Sequence, residues 1–138
     1  DKIDGLTFIE QIMKPHTAYY PAVKNLLGRN ILHGMAHITG GGIEGNLCRI
    51  IPDGLTAEID LSAIKVPNLF RYIRQCGNIS EDEMLRTFNC GAGLNLVVPR
   101  SEKETVIKHI NRFHDCYEIG TIRKGPVKII FKNRINWN

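Results

Sequence analysis

Three consecutive glycines, Gly40-Gly41-Gly42, close the run His33-Gly34-Met35-Ala36-His37-Ile38-Thr39 and constrain the fold more than any other part of the chain. Glycine tolerates backbone conformations and close approaches that a Cβ forbids. The apolar stretch before the run predicts a strand over 31–38, and the segment after it a short helix over 41–50. A glycine turn between strand and helix presents backbone N–H groups, which favour anions and phosphate above all. His37 and Thr39 flank that turn. A histidine at the mouth of such a loop can hold or transfer a proton near neutral pH. Thr39 can cap the helix or donate to a phosphate oxygen. The competing reading, a flexible connector, is disfavoured because three glycines cost conformational entropy.

The remaining chemistry is narrower. His33 and His37 are four apart, the spacing of a helical metal pair. On a strand four residues span roughly 13 Å, too far for one ion, so no metal site is expected. A second polar boundary, Arg86-Thr87-Phe88-Asn89-Cys90-Gly91-Ala92-Gly93, joins a helix to an apolar strand. Arg86 could grip a carboxylate or phosphate bidentately, or simply pair with Glu83 three residues earlier. Cys90 has no evident base to make it a nucleophile.

The 138 residues fit one domain, which would bury about two-thirds of its unfolded surface. No apolar run approaches the ~20 residues of a membrane span, which excludes a membrane-spanning helix. Net charge is +4, and Arg123, Lys124, Lys128, Lys132 and Arg134 lack interleaved aromatics. They read as solvated strand faces, and nucleic-acid binding is not expected. Asp1-Lys2-Ile3-Asp4-Gly5 has no signal-peptide organisation. Cys48, Cys76, Cys90 and Cys116 form no C-x-x-C pair, which suits reduced thiols and a cytoplasmic location.

Further elements follow from local signals. Helices are predicted over 6–13, 18–27 and 67–76, then 80–88 behind a Ser80/Glu83 capping box, and 101–113 capped by Ser101. Strands are predicted over 55–59 and 91–98. Two more, over 117–122 and 127–131, would form a hairpin around Lys124-Gly125-Pro126. Residues 133–138 are expected to fray. The class is α+β, with a mixed β-sheet flanked by helices.

Two motifs carry a resemblance. The segment HGMAHITGGGIEGNLCRIIP (33–52) is similar to the C-terminal domain of the phosphoribosylformylglycinamidine cyclo-ligase, or AIR synthetase, family. GNISEDEMLRTFNCGAG (77–93) resembles that family's G-N-[VI]-x-x-x-E-M-x-R-T-F-N-x-G-x-G run. Residues 15–27 and 117–122 fit more loosely. The resemblance implies a partly ferredoxin-like fold and one domain over 1–138, with the N-terminal ATP-binding domain absent from this chain. It implies ATP-dependent ring closure of formylglycinamidine ribonucleotide to aminoimidazole ribonucleotide in purine biosynthesis. ATP and Mg2+ would sit mainly on the missing domain, the full-length protein would be a homodimer, and this chain alone would be inactive. His37 is the implied catalytic residue. Thr39, Gly40, Gly41, Gly42, Asn46, Arg49, Arg86 and Asn89 are the implied substrate or phosphate contacts.

The sequence departs from the family where members read P-T-R-x-Y: here it is Pro15-His16-Thr17-Ala18-Tyr19, with no arginine at Thr17. It has Gly45-Asn46-Leu47-Cys48-Arg49 where members carry E-N-[IL]-P-R. Other members of the ATP-dependent superfamily, such as selenophosphate synthetase, remain open, although their loops carry an Asp where this chain has His37. So does a non-enzymatic module that binds a phosphorylated ligand.

Overall fold

Thr7 begins the first helix through a reciprocal cap. Its hydroxyl accepts from the Glu10 N–H, and the Glu10 carboxylate accepts from the Thr7 N–H at 2.7 Å. The helix, α1 (Phe8–Ile12), is shorter than the 6–13 expected, because Leu6–Thr7 (β2) turns back to pair with Lys2–Ile3 (β1). The computed structural model describes residues 2–138; Asp1, the first residue of the expected domain span, lies outside them.

The expected helix over 18–27 is one turn, α2 (Tyr20–Val23), with Pro21 in its opening positions. Next come β3 (Gly34–His37), α3 (Gly42–Leu47) and β4 (Leu55–Asp60). Helix α4 (Asn68–Gly77) follows Pro67 and ends at Asn78, which takes the left-handed conformation (φ 47°). Ser80 caps α5 (Glu81–Thr87) by accepting from the Glu83 N–H at 3.3 Å, but the expected capping box is not completed: the Glu83 carboxylate accepts from the Thr87 hydroxyl at 3.1 Å, one turn on, instead of reaching back. The chain ends with β5 (Leu94–Val97), α6 (Lys103–Ile110), β6 (Gly120–Lys124) and β7 (Ile129–Lys132).

The result is a mixed α/β fold with small sheets, as the α+β expectation required in outline. β3 and β5 pair antiparallel, with His37 opposite Leu94. A three-stranded sheet runs β6-β4-β7, antiparallel on the β6 side and parallel on the β7 side.

Three expectations are corrected. β6 and β7 do not form a hairpin: they flank β4, and the connection crosses its end. There the Gly125 N–H donates to the Gly54 carbonyl, and the Thr56 hydroxyl donates to the Val127 carbonyl. Ser101 does not cap α6. Pro99 opens a 3₁₀ turn over Arg100–Glu102, and a residue inside that turn cannot take the extended backbone of a cap. Residues 133–138 do not fray. Ile135 is 5% exposed, the Trp137 indole N–H donates to the Glu81 carboxylate at 2.9 Å, and Asn133 donates to Asp60 at 2.9 Å. Their apolar side chains belong to the main core, with Ile38, Ile43, Leu47, Ile59 and Met84. A second cluster joins Ala22, Val23 and Leu26 to Val106 and Ile110 of α6.

Candidate functional site

The glycine loop leaves the end of β3 and enters α3 through two left-handed residues, Gly41 (φ 97°) and Gly42 (φ 64°). Gly42 is forced twice over. Besides its φ, a Cβ there would lie 1.7 Å from the Leu85 carbonyl oxygen of α5. Helix α5 therefore backs the loop directly. The Gly42 N–H closes the turn onto the Thr39 carbonyl at 3.0 Å. Gly40, by contrast, faces open space.

Two asparagines brace this loop. Asn46 is 6% exposed, and its Nδ2 donates to the carbonyls of Thr39 (3.3 Å), Gly40 (3.2 Å) and Gly42 (2.8 Å). Asn89 accepts from the Gly91 N–H at 2.9 Å and donates to the Ile38 carbonyl at 3.5 Å. Arg86 is exposed and stands 3.6 Å from the Glu83 carboxylate, the ion pair foreseen as its alternative. Arg49 is also exposed, at the end of α3. The structure thus gathers His37, Thr39, the three glycines, Asn46 and Asn89 at one place, with Arg86 on the helix behind.

His37 is exposed, and its partners come from a segment 21 residues earlier. Its Nε2 lies 3.2 Å from His16 Nε2, with ring centroids 5.0 Å apart and planes at 86°. Tyr19 sets an edge against His37 (5.9 Å), His16 (6.2 Å) and His114 (5.6 Å). Tyr19 fits because position 93 is glycine: a Cβ there would lie 2.0 Å from its hydroxyl oxygen. His114, at the foot of α6, donates to the Ala18 carbonyl at 3.3 Å and fastens the 15–19 segment. Sequence reasoning missed this cluster. Tyr19 and His16 stood out only as departures from or matches to a motif, and His114 carried no local signal.

Cys90 is fully buried with its thiol 3.6 Å from the Met84 carbonyl. Burial, with the Glu81 charge second, pushes its pKa up to about 11, which makes it an inert packing group. Behind the cluster lies a cavity of about 770 Å³, reached by Tyr19, His33, Asn95 and His114. The Asn95 side-chain nitrogen is buried there without a hydrogen-bond partner.

The sequence matches a known family over residues 9–132, described as AIR synthase related protein, C-terminal domain. The chain belongs to that family. Named relatives agree. The chain is 40% identical over 127 residues to a phosphoribosylformylglycinamidine cyclo-ligase of Geotalea daltonii, covering 90% of this chain and 36% of that one. It is 40% identical over 135 residues to the same-named protein of Lactobacillus helveticus, covering 95% and 39%. It is 42% identical over 125 residues to that of Ligilactobacillus salivarius, covering 90% and 36%. The chain therefore spans little more than a third of the length of these relatives. Among the described residues of this family member, no helix is long and apolar enough to cross a membrane.

Proposed function

We propose that this chain is the C-terminal domain of a cytoplasmic, ATP-dependent phosphoribosylformylglycinamidine cyclo-ligase acting in purine biosynthesis. The observation that carries the reading is the family match over residues 9–132, with about 40% identity to relatives of that name. In this reading residues 1–138 are one domain, and its ferredoxin-like arrangement is part of the proposal. An ATP-binding domain contributed by the rest of the protein completes the enzyme, which is a homodimer.

The reaction places its demands on two kinds of group. ATP phosphorylates the formyl amide oxygen of formylglycinamidine ribonucleotide, releasing ADP. A nitrogen of the same molecule then attacks the activated carbon, the C–O bond to phosphate breaks, and inorganic phosphate and a proton leave as the ring forms. Charge accumulates on phosphoryl oxygens, and N–H dipoles and hydroxyls stabilise it. Exposed Thr39, Gly40 and Gly41 offer both; Gly42 is buried, with its N–H spent on the Thr39 carbonyl. Asn46 and Asn89 hold that turn rigid, a role that spares binding energy for the substrate. Arg49, past the far end of α3, is not brought to the turn, and Arg86, paired with Glu83 on the helix behind, adds positive charge only at a distance. His37 polarises the amide or takes the proton. Among the described residues, no three His, Cys, Asp or Glu side chains converge where a metal could bind. In this reading Mg2+ accompanies ATP on the other domain.

The test is an amide NMR titration of the chain, alone and joined to the part of the Lactobacillus helveticus relative that this chain does not match. Ribonucleotide-induced shifts at His37 and Thr39–Gly42, with turnover only in the joined protein, are expected. Shifts there with ATP alone would reassign the loop to nucleotide. No response in either protein would reject the reading, and turnover by the isolated chain would reject the division of labour.

A further inference from the structure

We propose that His16 is a positioning residue for His37: it holds His37 in the tautomer with hydrogen on Nε2 and leaves Nδ1 as the proton-accepting atom. The inference rests on the reading of His37 as the group that handles a proton, and it specifies which atom does so.

His16 Nδ1 lies 2.9 Å from the Thr17 carbonyl oxygen, which can only accept. His16 therefore carries its hydrogen on Nδ1. A neutral imidazole has one N–H, so His16 Nε2 presents a lone pair. That lone pair faces His37 Nε2 at 3.2 Å. Two lone pairs at that distance repel, so His37 donates from Nε2, and its Nδ1 is left bare. The chain of donors runs His37 Nε2–H to His16 Nε2, and His16 Nδ1–H to the Thr17 carbonyl.

The rings are held in this relation from outside. Tyr19 sets its edge against both imidazoles, and His114 anchors the Ala18 carbonyl one residue before Tyr19. When His37 Nδ1 takes a proton, its Nε2–H becomes a charged donor to His16, a bond roughly twice as strong as a neutral one. His16 thus fixes the tautomer before the transfer and supports the imidazolium after it. This is the task of an orienting third group beside a catalytic base.

The measurement is long-range 1H–15N correlation of the histidine side chains, at a pH about two units above the ordinary imidazole pKa of about 6.5. The expected pattern is an unprotonated Nδ1 and a protonated Nε2 at His37, with the reverse at His16. In His16→Ala, the tautomer ratio of His37 should relax by about fivefold, the worth of one net hydrogen bond. His16→Gln supplies an amide oxygen as acceptor and should restore the ratio. Both rings are exposed, so these variants keep the fold, and their amide spectra check it. A His37 ratio unchanged in His16→Ala, or a His16 hydrogen on Nε2, overturns the proposal. His37→Ala in the joined enzyme tests the underlying reading separately. Full kcat there would reject His37 as the proton-handling group while the tautomer result stands on its own.

Discussion

The three glycines of the loop look alike in sequence, but each sits in a different environment. Gly40 has no atom within 4 Å of where a Cβ would be. Gly40→Ala should therefore change stability by about 0.5 kcal/mol or less. Gly41 is left-handed, but its Cβ would make only ordinary contacts, 3.6 Å to Gly45 Cα and 3.8 Å to Asn46 Nδ2. Gly41→Ala should cost the left-handed penalty alone, about 1–2 kcal/mol. Gly42 combines φ 64° with a Cβ position 1.7 Å from the Leu85 carbonyl oxygen and 2.9 Å from its carbon. Backbone atoms of α5 must then move by more than an ångström, so overpacking adds to the penalty. Gly42→Ala should cost about 2–5 kcal/mol, a large share of a small domain's stability. Urea unfolding of the three variants, followed by far-UV circular dichroism, gives the order directly. If Gly42→Ala costs no more than Gly40→Ala, the loop is a flexible connector, and the rigid-cradle argument fails.

Other perturbations discriminate as sharply. Asn46→Asp turns an oxygen toward three loop carbonyls in place of a donor, so it should destabilise more than Asn46→Ala, itself worth about 1–3 kcal/mol; equal midpoints in urea would refute the bracing role. Ile135→Ala should cost about 2–4 kcal/mol because the side chain is 5% exposed, whereas a frayed tail would lose almost nothing. At pH 8 a water-soluble disulfide reagent should modify exposed Cys76 at once and Cys90 only on unfolding. The raised Cys90 pKa favours the folded state fully below pH 9, and that contribution is lost as pH rises through about 11, so stability should fall across that window.

What the sequence disclosed follows from how local each signal is. The start of α5 was legible because the Ser80 hydroxyl and the Glu83 N–H that it caps lie within one turn, and β4 because apolar Leu55, Ala57 and Ile59 alternate with polar residues, although Thr56 is buried as well. The hairpin expectation failed because nothing near Lys124-Gly125-Pro126 encodes that β4, some 65 residues earlier, lies between the two strands. The tail failed for the same reason: Ile135 and Trp137 are ordinary apolar residues until their partners, Glu81 and the main core, are known. The glycine loop and His37 were legible as a unit, being contiguous. His16, Tyr19 and His114 became part of the site only in three dimensions.

The second motif, 77–93, reads in sequence as a second set of ligand contacts, but its packing gives it a prior structural task. Its α5 backbone fills the space that Gly42 leaves by having no Cβ, and Asn89 reaches the Ile38 carbonyl just ahead of the loop. Asn46, on α3, holds the next carbonyls, those of Thr39 and Gly40. The loop is thus held by two asparagines that bind consecutive residues, and the two motifs form one device. Such neighbours should not act independently. In a double-mutant cycle, Asn46→Ala and Asn89→Ala should couple by about 0.5–1.5 kcal/mol, because whichever brace goes first lets the loop relax and lowers the worth of the other. Stability losses that add within about 0.3 kcal/mol would show that each asparagine serves its own turn, and that the resemblance of the 77–93 motif to a binding element should be taken at face value.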